Sequence, residues 1–241
     1  MSRISVLDVQ QRYNARPQIW PEEDVWNSTS RKLLERDLPP LLAAAGYAPD
    51  WTILNAGSAG NDYGVKSRLH IHADLAMRHL VGAPDAMVAD LHHLPLKPGS
   101  VDLVMCMGSV INYCDLPAVV AEMRQALRPR GFAIFDFENT DSYEYYPRYA
   151  GKLTALQDTD YCGGMEPVWL FSERYVAETL AAAKFRVVAT KYMHIFSILS
   201  WKLIPNERFA SAMARLDPFF SLFPSVRRKA ANIMVLCQKT D

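Results

Sequence analysis

A short run of small residues, Gly57-Ser58-Ala59-Gly60, follows directly after an apolar segment at residues 52–56. Small residues let a backbone come close to a ligand, and the helix that follows such a turn offers free N–H groups. In an open α/β sheet, the first strand-to-helix turn is where nucleotides bind. The run alone is a weak signal, because a tight turn with no ligand has the same composition.

Two carboxylates follow at positions that suit the same ligand. Asp74 stands 19 residues after Asn55, at the end of the next apolar run, where a carboxylate can accept hydrogen bonds from ribose hydroxyls. Asp90 ends a third apolar run and can accept from an exocyclic amine. Each aspartate has an alternative interpretation, since aspartates also cap helices and turns.

Short apolar runs alternate with helical patterns from residue 51 onward. This alternation predicts an α/β fold that is doubly wound and Rossmann-like, with a mostly parallel, seven-stranded sheet and helices on both faces. The predicted strands are 52–56, 69–73, 86–89, 101–107, 132–137, 185–192 and 232–238, and the clearest helices are 116–127 and 172–183.

The segments outside this alternation are predicted to cover the sheet. Residues 1–50 are expected to form an N-terminal helical cover, ahead of a main domain over 51–241. Insertions at 143–170 and 195–229 interrupt the alternation, and connections of this length usually carry function or structure of their own. We expect both insertions to form a lid over the carboxyl edge of the sheet.

The helical pattern at 28–46 carries its own start and stop signals. Ser28 or Ser30 is a candidate N-cap for this helix. Pro39 and Pro40 are expected to kink or split it, because proline lacks the N–H that a helix interior uses.

Charge is balanced overall but not locally. The chain has 26 Lys and Arg against 26 Asp and Glu, which disfavours a dedicated nucleic-acid binder, since such domains are usually strongly basic. Residues 184–229, however, hold nine Lys and Arg against Glu207 and Asp217, a local charge of +7. This asymmetry hints at an anionic partner for the basic part. Its aromatic residues resemble a peripheral anchor for anionic membranes, or else an amphipathic lid helix that faces the pocket or a dimer partner.

Composition also bears on compartment and metal binding. The N-terminus has no apolar signal core, and the longest apolar stretch, 192–204, is shorter than the roughly 20 residues that a membrane-spanning helix needs. The four cysteines form no CxxC pair, and Cys106 and Cys237 are expected to be buried free thiols. We therefore expect a cytoplasmic protein without a metal site, either a monomer or a homodimer.

Two longer segments carry a family resemblance. In segment 89–110, Asp90 is followed after three residues by Leu94-Pro95 and later by the run Asp102-Leu103-Val104. Segment 121–132 contains a helix stop of the form Leu-Arg-Pro-x-Gly near its end. With these spacings the chain resembles the class I S-adenosylmethionine-dependent methyltransferases. The likeness covers roughly residues 50–140 well and the following helix and strands more loosely.

The resemblance implies S-adenosylmethionine as cofactor. Gly57 and Ser58 would surround its methionine end, Asp74 its ribose and Asp90 its adenine, and an aromatic face at Tyr13 would favour the sulfonium. The sequence departs from the family pattern where Asn55 replaces the usual first acid and Ala59 the second glycine. The implied binding set is Tyr13, Asn55, Ala56, Gly57, Ser58, Ala59, Asp74, Leu75, Asp90, Leu91, Met107 and Gly108.

The function implied is methylation of oxygen or nitrogen on a small-molecule acceptor, including a sugar- or lipid-linked one. Positioning supplies much of such a reaction's acceleration, and a general base can assist it. His93, His194 and Tyr143 are weak candidates for that base, and an ordinary structural histidine is the alternative for each imidazole. A methyltransferase for protein or nucleic acid and a non-catalytic cofactor-binding protein stay open as alternative functions. Other candidate bases are His92, Tyr113 and Glu138.

Overall fold

The computed structural model describes residues 4–21, 23–161 and 164–241, and this part of the chain is built on one central sheet. A separate two-stranded antiparallel sheet is formed by β6 (Thr154–Tyr161) and β7 (Gly164–Phe171). The strands of the central sheet are β1 (Thr52–Ala56), β2 (Leu69–Asp74), β3 (Ala86–Val88), β4 (Val101–Cys106), β5 (Leu127–Glu138), β8 (Phe185–Met193) and β9 (Asn232–Lys239).

The central strands lie in the order β3-β2-β1-β4-β5-β9-β8. Neighbouring strands are parallel from β3 to β5, and β9 runs antiparallel to both of its neighbours. This confirms the predicted doubly wound, mostly parallel sheet. The strand order reverses between β1 and β4, and such a switch point opens a crevice at the carboxyl ends of the strands.

Helices cover both faces of this sheet, as predicted. Two short 3-10 turns, Val110–Tyr113 and Ala214–Leu216, supplement them. The helices are α1 (Val6–Ala15), α2 (Val25–Ala45), α3 (Met77–Leu80), α4 (Leu116–Ala126), α5 (Glu173–Ala182), α6 (Phe196–Leu203), α7 (Glu207–Met213), α8 (Asp217–Phe220) and α9 (Pro224–Arg227).

The strand pleat divides the core in two. Successive side chains of a strand point to opposite faces, so neighbouring residues enter different clusters. On β1, Ile53 packs with the leucines of α2, whereas Leu54 packs with the buried residues of α4. On β4, Leu103 and Val104 divide in the same way. The sheet therefore has no solvent-facing side at its centre, and its open positions lie at the strand ends.

Helix α2 corrects two expectations about the N-terminal segment. Asp24 caps it by accepting a hydrogen bond from the Asn27 N–H at 2.9 Å, so Ser28 lies inside the helix and is not its cap. The helix also runs unbroken through Pro39 and Pro40. Both prolines are exposed while the leucines beside them are buried, so the packing of the apolar face offsets the helical hydrogen bonds that proline removes.

The two insertions differ in kind. Residues 143–170 contain β6 and most of β7, whereas 195–229 contain the short helices α6 to α9. None of the helices in the described ranges combines the length and the apolar character that a membrane crossing requires.

Replacing Leu38 tests whether α2 belongs to the core. Leu38 is 1% exposed on the face that packs against the sheet. We expect Leu38→Ala to lower the free energy of unfolding in urea by about 2–5 kcal/mol, because it leaves a cavity in that face. The exposed Lys32→Ala on the same helix is the matched control and should change stability by less than about 0.5 kcal/mol. Equal effects of the two substitutions would contradict this packing.

Candidate functional site

The carboxyl edge of the sheet opens into a cavity of about 330 Å³. Strands β1 to β5 each end at its wall, and α1, α2, α6 and β6 complete the enclosure. Residues contributed by the five strand ends include Gly57, Asp74, Asp90, Met107 and Glu138. The small-residue turn and the two predicted aspartates are therefore brought to one place.

Most of the predicted cofactor residues line this cavity. Asn55 and Ala56 do not: they lie within β1 and are 0% and 1% exposed. A central strand is covered on both faces, so its side chains enter the core beneath the turn. Asn55 instead donates a hydrogen bond to the Asn61 carbonyl and so stabilises the turn from below. The predicted residues that do line the cavity are Tyr13, Gly57, Ser58, Ala59, Asp74, Leu75, Asp90, Leu91, Met107 and Gly108.

Asp74 fixes the small-residue turn to the neighbouring strand. Its Oδ2 accepts from the Ala59 N–H and its Oδ1 from the Ala76 N–H, both at 2.8 Å. Gly57, at φ +72°, adopts a left-handed conformation that suits glycine, and its N–H donates to the Ala73 carbonyl at 2.7 Å. Burial raises the pKa of Asp74, and the two backbone N–H groups partly oppose that rise.

Asp90 organises the loop after β3. Its Oδ1 accepts from the His92 N–H at 2.9 Å and lies 2.6 Å from the His92 Nδ1. The other ring nitrogen, Nε2, accepts from the Asp115 N–H at 3.0 Å. That bond assigns the ring proton to Nδ1. His92 thus links the loop after β3 to the residue that precedes α4. This is a structural role, which is the alternative to a role as general base.

Two of the candidate bases lie outside the cavity. His93 is exposed, and its N–H donates to the Asp90 carbonyl at 2.9 Å. Tyr143 points elsewhere as well, while the next two residues, Glu144 and Tyr145, line the wall. Neighbouring residues of a loop face different directions, so periodicity could not choose among them.

His194 lines the cavity but is poorly suited to accept a proton. Its ring nitrogens lie 2.9 Å from the Ser30 Oγ and 3.0 Å from the Ser197 Oγ, and its ring stacks on Trp26 at 4.4 Å. Burial lowers its pKa to about 3, and the charge of Arg36 contributes. Such an imidazole is neutral at pH 7 and a weak base, so it joins α2 to α6 as a structural group.

Strand β5 supplies two carboxylates, of which sequence reasoning noted only Glu138. Asp136 is 1% exposed and accepts from the Gly108 N–H at 2.7 Å, and from the N–H and hydroxyl of Ser109 at 3.0 and 3.1 Å. Burial raises its pKa to about 6. The signal in the sequence was an acid inside the apolar run 132–137, which ordinary strand patterning does not explain.

Glu138, Glu144 and Tyr145 form an acidic group at the same wall. The Tyr145 hydroxyl donates to the Glu138 Oε2 at 3.0 Å. Burial raises the pKa of Glu138 to about 7, and the charge of Glu144 adds to the rise. Burial raises the pKa of Glu144 to about 7 as well. Near neutral pH, therefore, each of these carboxyl groups can gain or lose a proton.

A clasp formed by Arg16, Glu166 and two tyrosines closes the cavity on the other side. The Arg16 guanidinium lies 4.4 Å from the centre of the Tyr13 ring and 4.3 Å from that of Tyr161. It also pairs with Glu166, which is 1% exposed. The Tyr161 hydroxyl donates to the Ile19 carbonyl at 2.7 Å. Helix α1 is thereby attached to the β6–β7 sheet.

The cations of the basic segment 184–229 do not line the cavity. Among the described residues, none of the nine cations of 184–229 lines it, although Trp201 and Glu207 from that segment do. Lys202 donates instead to the carbonyls of Tyr143 and Tyr146, at 2.7 and 2.8 Å. The anionic partner that this local charge suggested would therefore not meet these cations inside the cavity.

Cysteines and metal ligands add little to this site. Cys106, Cys114 and Cys237 are buried free thiols, as predicted for the first and last of them. Cys162 lies outside the described residues. Within the described ranges, His, Cys, Asp and Glu form no group of three that could hold a metal ion.

Comparison with known families identifies part of the chain. Residues 64–135 match the family model described as a methyltransferase domain. This match covers β2 to β4 and most of β5, including the two predicted cavity aspartates at positions 74 and 90. A search of curated proteins finds no match.

Solved structures resemble the chain over nearly its whole length. Geranyl diphosphate C-methyltransferase from Streptomyces coelicolor A3(2), crystallised with Mg²⁺, geranyl diphosphate and S-adenosyl-L-homocysteine, is 14% identical with a TM-score of 0.62, and 98% of each chain is covered. Burkholderia thailandensis 1,6-didemethyltoxoflavin-N1-methyltransferase, with its acceptor and S-adenosylhomocysteine, is 14% identical with a TM-score of 0.58 over 98% of this chain and 87% of that one. The [4+2]-cyclase SpnF is 11% identical with a TM-score of 0.62 over 99% and 97%. Likeness at these identities shows a shared fold, and that fold supports more than one reaction.

The two half-buried glutamates of the cavity wall predict a pH-dependent stability. The pKa of Glu138 and of Glu144 is raised from 4.5 to about 7, so between these values the folded chain binds more protons than the unfolded chain. Stability from these groups is therefore present at low pH and lost as pH rises towards 7. We expect Glu144→Gln to stabilise the protein relative to wild type more at pH 8 than at pH 5, as measured by urea unfolding. The exposed Asp158→Asn should show no such difference, and a pH-independent effect of Glu144→Gln would refute the assignment.

Proposed function

We propose that this class I S-adenosylmethionine-dependent methyltransferase methylates a nitrogen or oxygen of a small molecule held inside the cavity. One observation carries the proposal. The cofactor residues implied by the family line the same cavity as a pair of glutamates whose pKa is raised to about 7. The first set suits a nucleoside ligand, and the second suits a reaction that releases a proton.

The cavity wall fits the cofactor. Asp74 and Asp90 present carboxylates at the ends of neighbouring strands, where ribose hydroxyls and an adenine amine require acceptors. Gly57 and Ser58 would surround the methionine end, and Tyr13 would cover it. When bound, the cofactor supplies an electrophilic methyl group on a positively charged sulfur. A wall rich in carboxylates and aromatic rings suits that positive charge.

The chain itself supplies enclosure, position and a proton acceptor. Helix α1 and the β6–β7 sheet cover part of the cavity, and such a cover strengthens electrostatic interactions by limiting contact with water. The pKa of both wall glutamates is raised to about 7, which suits a base at neutral pH. Glu138 is the better placed of the two, because it ends a core strand, whereas Glu144 lies in the loop before β6. Nucleophilic hydroxyl and amine groups both release a proton on methylation, so a carboxylate of this pKa favours oxygen or nitrogen.

Enclosure also favours a small acceptor over a macromolecule. A protein or nucleic acid would need an open groove, or would have to insert a single side chain or base through the α1 clasp. Two of the fold relatives act on small molecules, by their names a toxoflavin precursor and geranyl diphosphate. Their different acceptors show that the fold leaves the acceptor open.

Peripheral contact with an anionic membrane is a second, separate proposal. The segment 195–229 exposes large apolar side chains, among them Trp201 at 41%, Leu203 at 75% and Leu222 at 70%. Arg208 and Arg228 are exposed on the same segment. Apolar residues beside cations are the composition by which a protein binds the surface of an anionic membrane.

Calorimetric titration tests the cofactor site. We expect wild type to bind S-adenosylmethionine and Asp74→Asn to bind it about tenfold more weakly or worse, because the substitution removes a charged acceptor. The exposed Asp50→Asn should bind as wild type does. Circular dichroism would confirm that each variant is folded. Absence of binding to wild type at millimolar cofactor would overturn the enzymatic proposal.

Vesicle flotation tests the membrane surface. We expect wild type to float with phosphatidylserine-containing vesicles and not with phosphatidylcholine alone. The double variant Arg208→Gln, Arg228→Gln and the single variant Leu203→Ser should each float less, since one removes charge and the other apolar contact. Lys66→Gln, Lys97→Gln is the charge-matched control, because both lysines are exposed outside this segment. Unchanged flotation of the test variants would contradict the proposal.

A further inference from the structure

The cavity wall has one sign of charge. Among the described residues that line it there is neither lysine nor arginine. Of its two histidines, His92 is paired with Asp90, and the pKa of about 3 leaves His194 neutral at pH 7. Seven carboxylate side chains line it, namely Asp74, Asp90, Asp136, Glu138, Glu144, Asp160 and Glu207. An enclosed space of this kind attracts cations and rejects anions.

Several of these carboxylates already have a structural task. Asp74 and Asp136 each accept hydrogen bonds from backbone N–H groups of the cavity loops, and Asp90 pairs with His92. Glu138 and Glu144 differ, because neither forms an ion pair with any cation in the described ranges. The nearest basic influence on Glu144 is Lys202, whose ammonium is held outside the wall by two carbonyl groups.

These two glutamates lie away from the nucleoside end of the site. Asp74 ends β2 and Asp90 follows β3, on one side of the switch point between β1 and β4. Glu138 ends β5, on the other side, and Glu144 follows it in the loop before β6. A methyl acceptor that lies across β4 from the nucleoside residues would therefore be next to the glutamate pair.

The surroundings of the pair raise the free energy of its ionised form. Burial and mutual repulsion both oppose two negative charges there. A cation bound between them would relieve both effects at once. Aromatic rings complete the same cavity, including those of Trp20, Tyr63 and Trp201, and ring faces attract organic cations.

We propose that the methyl acceptor is a small organic amine, that it enters as the ammonium ion, and that Glu138 and Glu144 bind it. This rests on the proposed function, since it assigns the acceptor end of the same cavity. One N–H bond of the ammonium breaks and an O–H bond forms on the Glu138 carboxylate, so the nitrogen keeps the electron pair with which it accepts the methyl group. The nine Lys and Arg of segment 184–229, from which an anionic partner was expected, take no part in this recognition, because none of them lines the cavity.

A set of three probes of similar shape tests the proposal: 2-phenylethylamine, 2-phenylethanol and phenylacetate, which are cationic, neutral and anionic at pH 7.5. Their binding to the protein saturated with S-adenosylhomocysteine can be measured by ligand-observed NMR. We expect the amine to bind at least tenfold more tightly than the alcohol or the acid. Glu144→Gln should weaken amine binding about tenfold and leave the alcohol unchanged, whereas Asp158→Asn should change neither.

The outcomes separate this proposal from the one it rests on. If S-adenosylhomocysteine itself does not bind, the proposed function fails. If it binds but the alcohol or the acid binds as tightly as the amine, or if none of the probes binds, the amine proposal is overturned while the cofactor site stands. Unchanged amine affinity in Glu144→Gln, with the urea unfolding of that variant showing an intact fold, would also overturn it.

Discussion

Hydrogen bonds that loop N–H groups donate to carboxylates at the strand ends are the interaction on which the site depends. The carboxyl ends of parallel strands meet at one edge, and several N–H groups of the loops that leave them need acceptors beyond the strand carbonyls. Asp74 supplies one for the turn after β1, and Asp136 supplies two for the loop after β4. The acidity of the cavity is thus partly a by-product of holding its loops in place.

That arrangement has an electrostatic cost. Burial raises the pKa of Asp136 to about 6 and that of Glu138 to about 7, so the folded chain carries carboxyl groups that prefer to be neutral. For Asp136, the hydrogen bonds that Gly108 and Ser109 donate partly offset the free-energy penalty of burying its charge. Glu138 has a tyrosine hydroxyl instead, which is a weaker partner for a charge. A group left in this state is suited to exchange a proton or to bind a cation.

Much of the fold could be predicted from the sequence, because strand patterning and helix stops are local signals. The strand at 52–56 and the helix at 116–127 match β1 and α4 to within a residue. Local sequence signals do not show which loop side chains come together in space. Asn55 and Gly57 lie two positions apart, yet one enters the core and the other the cavity, since the pleat ends between them. Glu144 could not be selected because it lies in an insertion without periodicity.

The walls of the cavity have two different origins. The floor, with Gly57 and Asp74, is made by a sheet whose centre is covered on both faces. The roof is made by α1, the β6–β7 sheet and the helices of 195–229, and the Arg16 clasp joins the first two of these to each other. Roof and floor can therefore diverge separately. New acceptors can be accommodated by changing roof residues, while the part that holds the methyl donor is kept by the packing of the core.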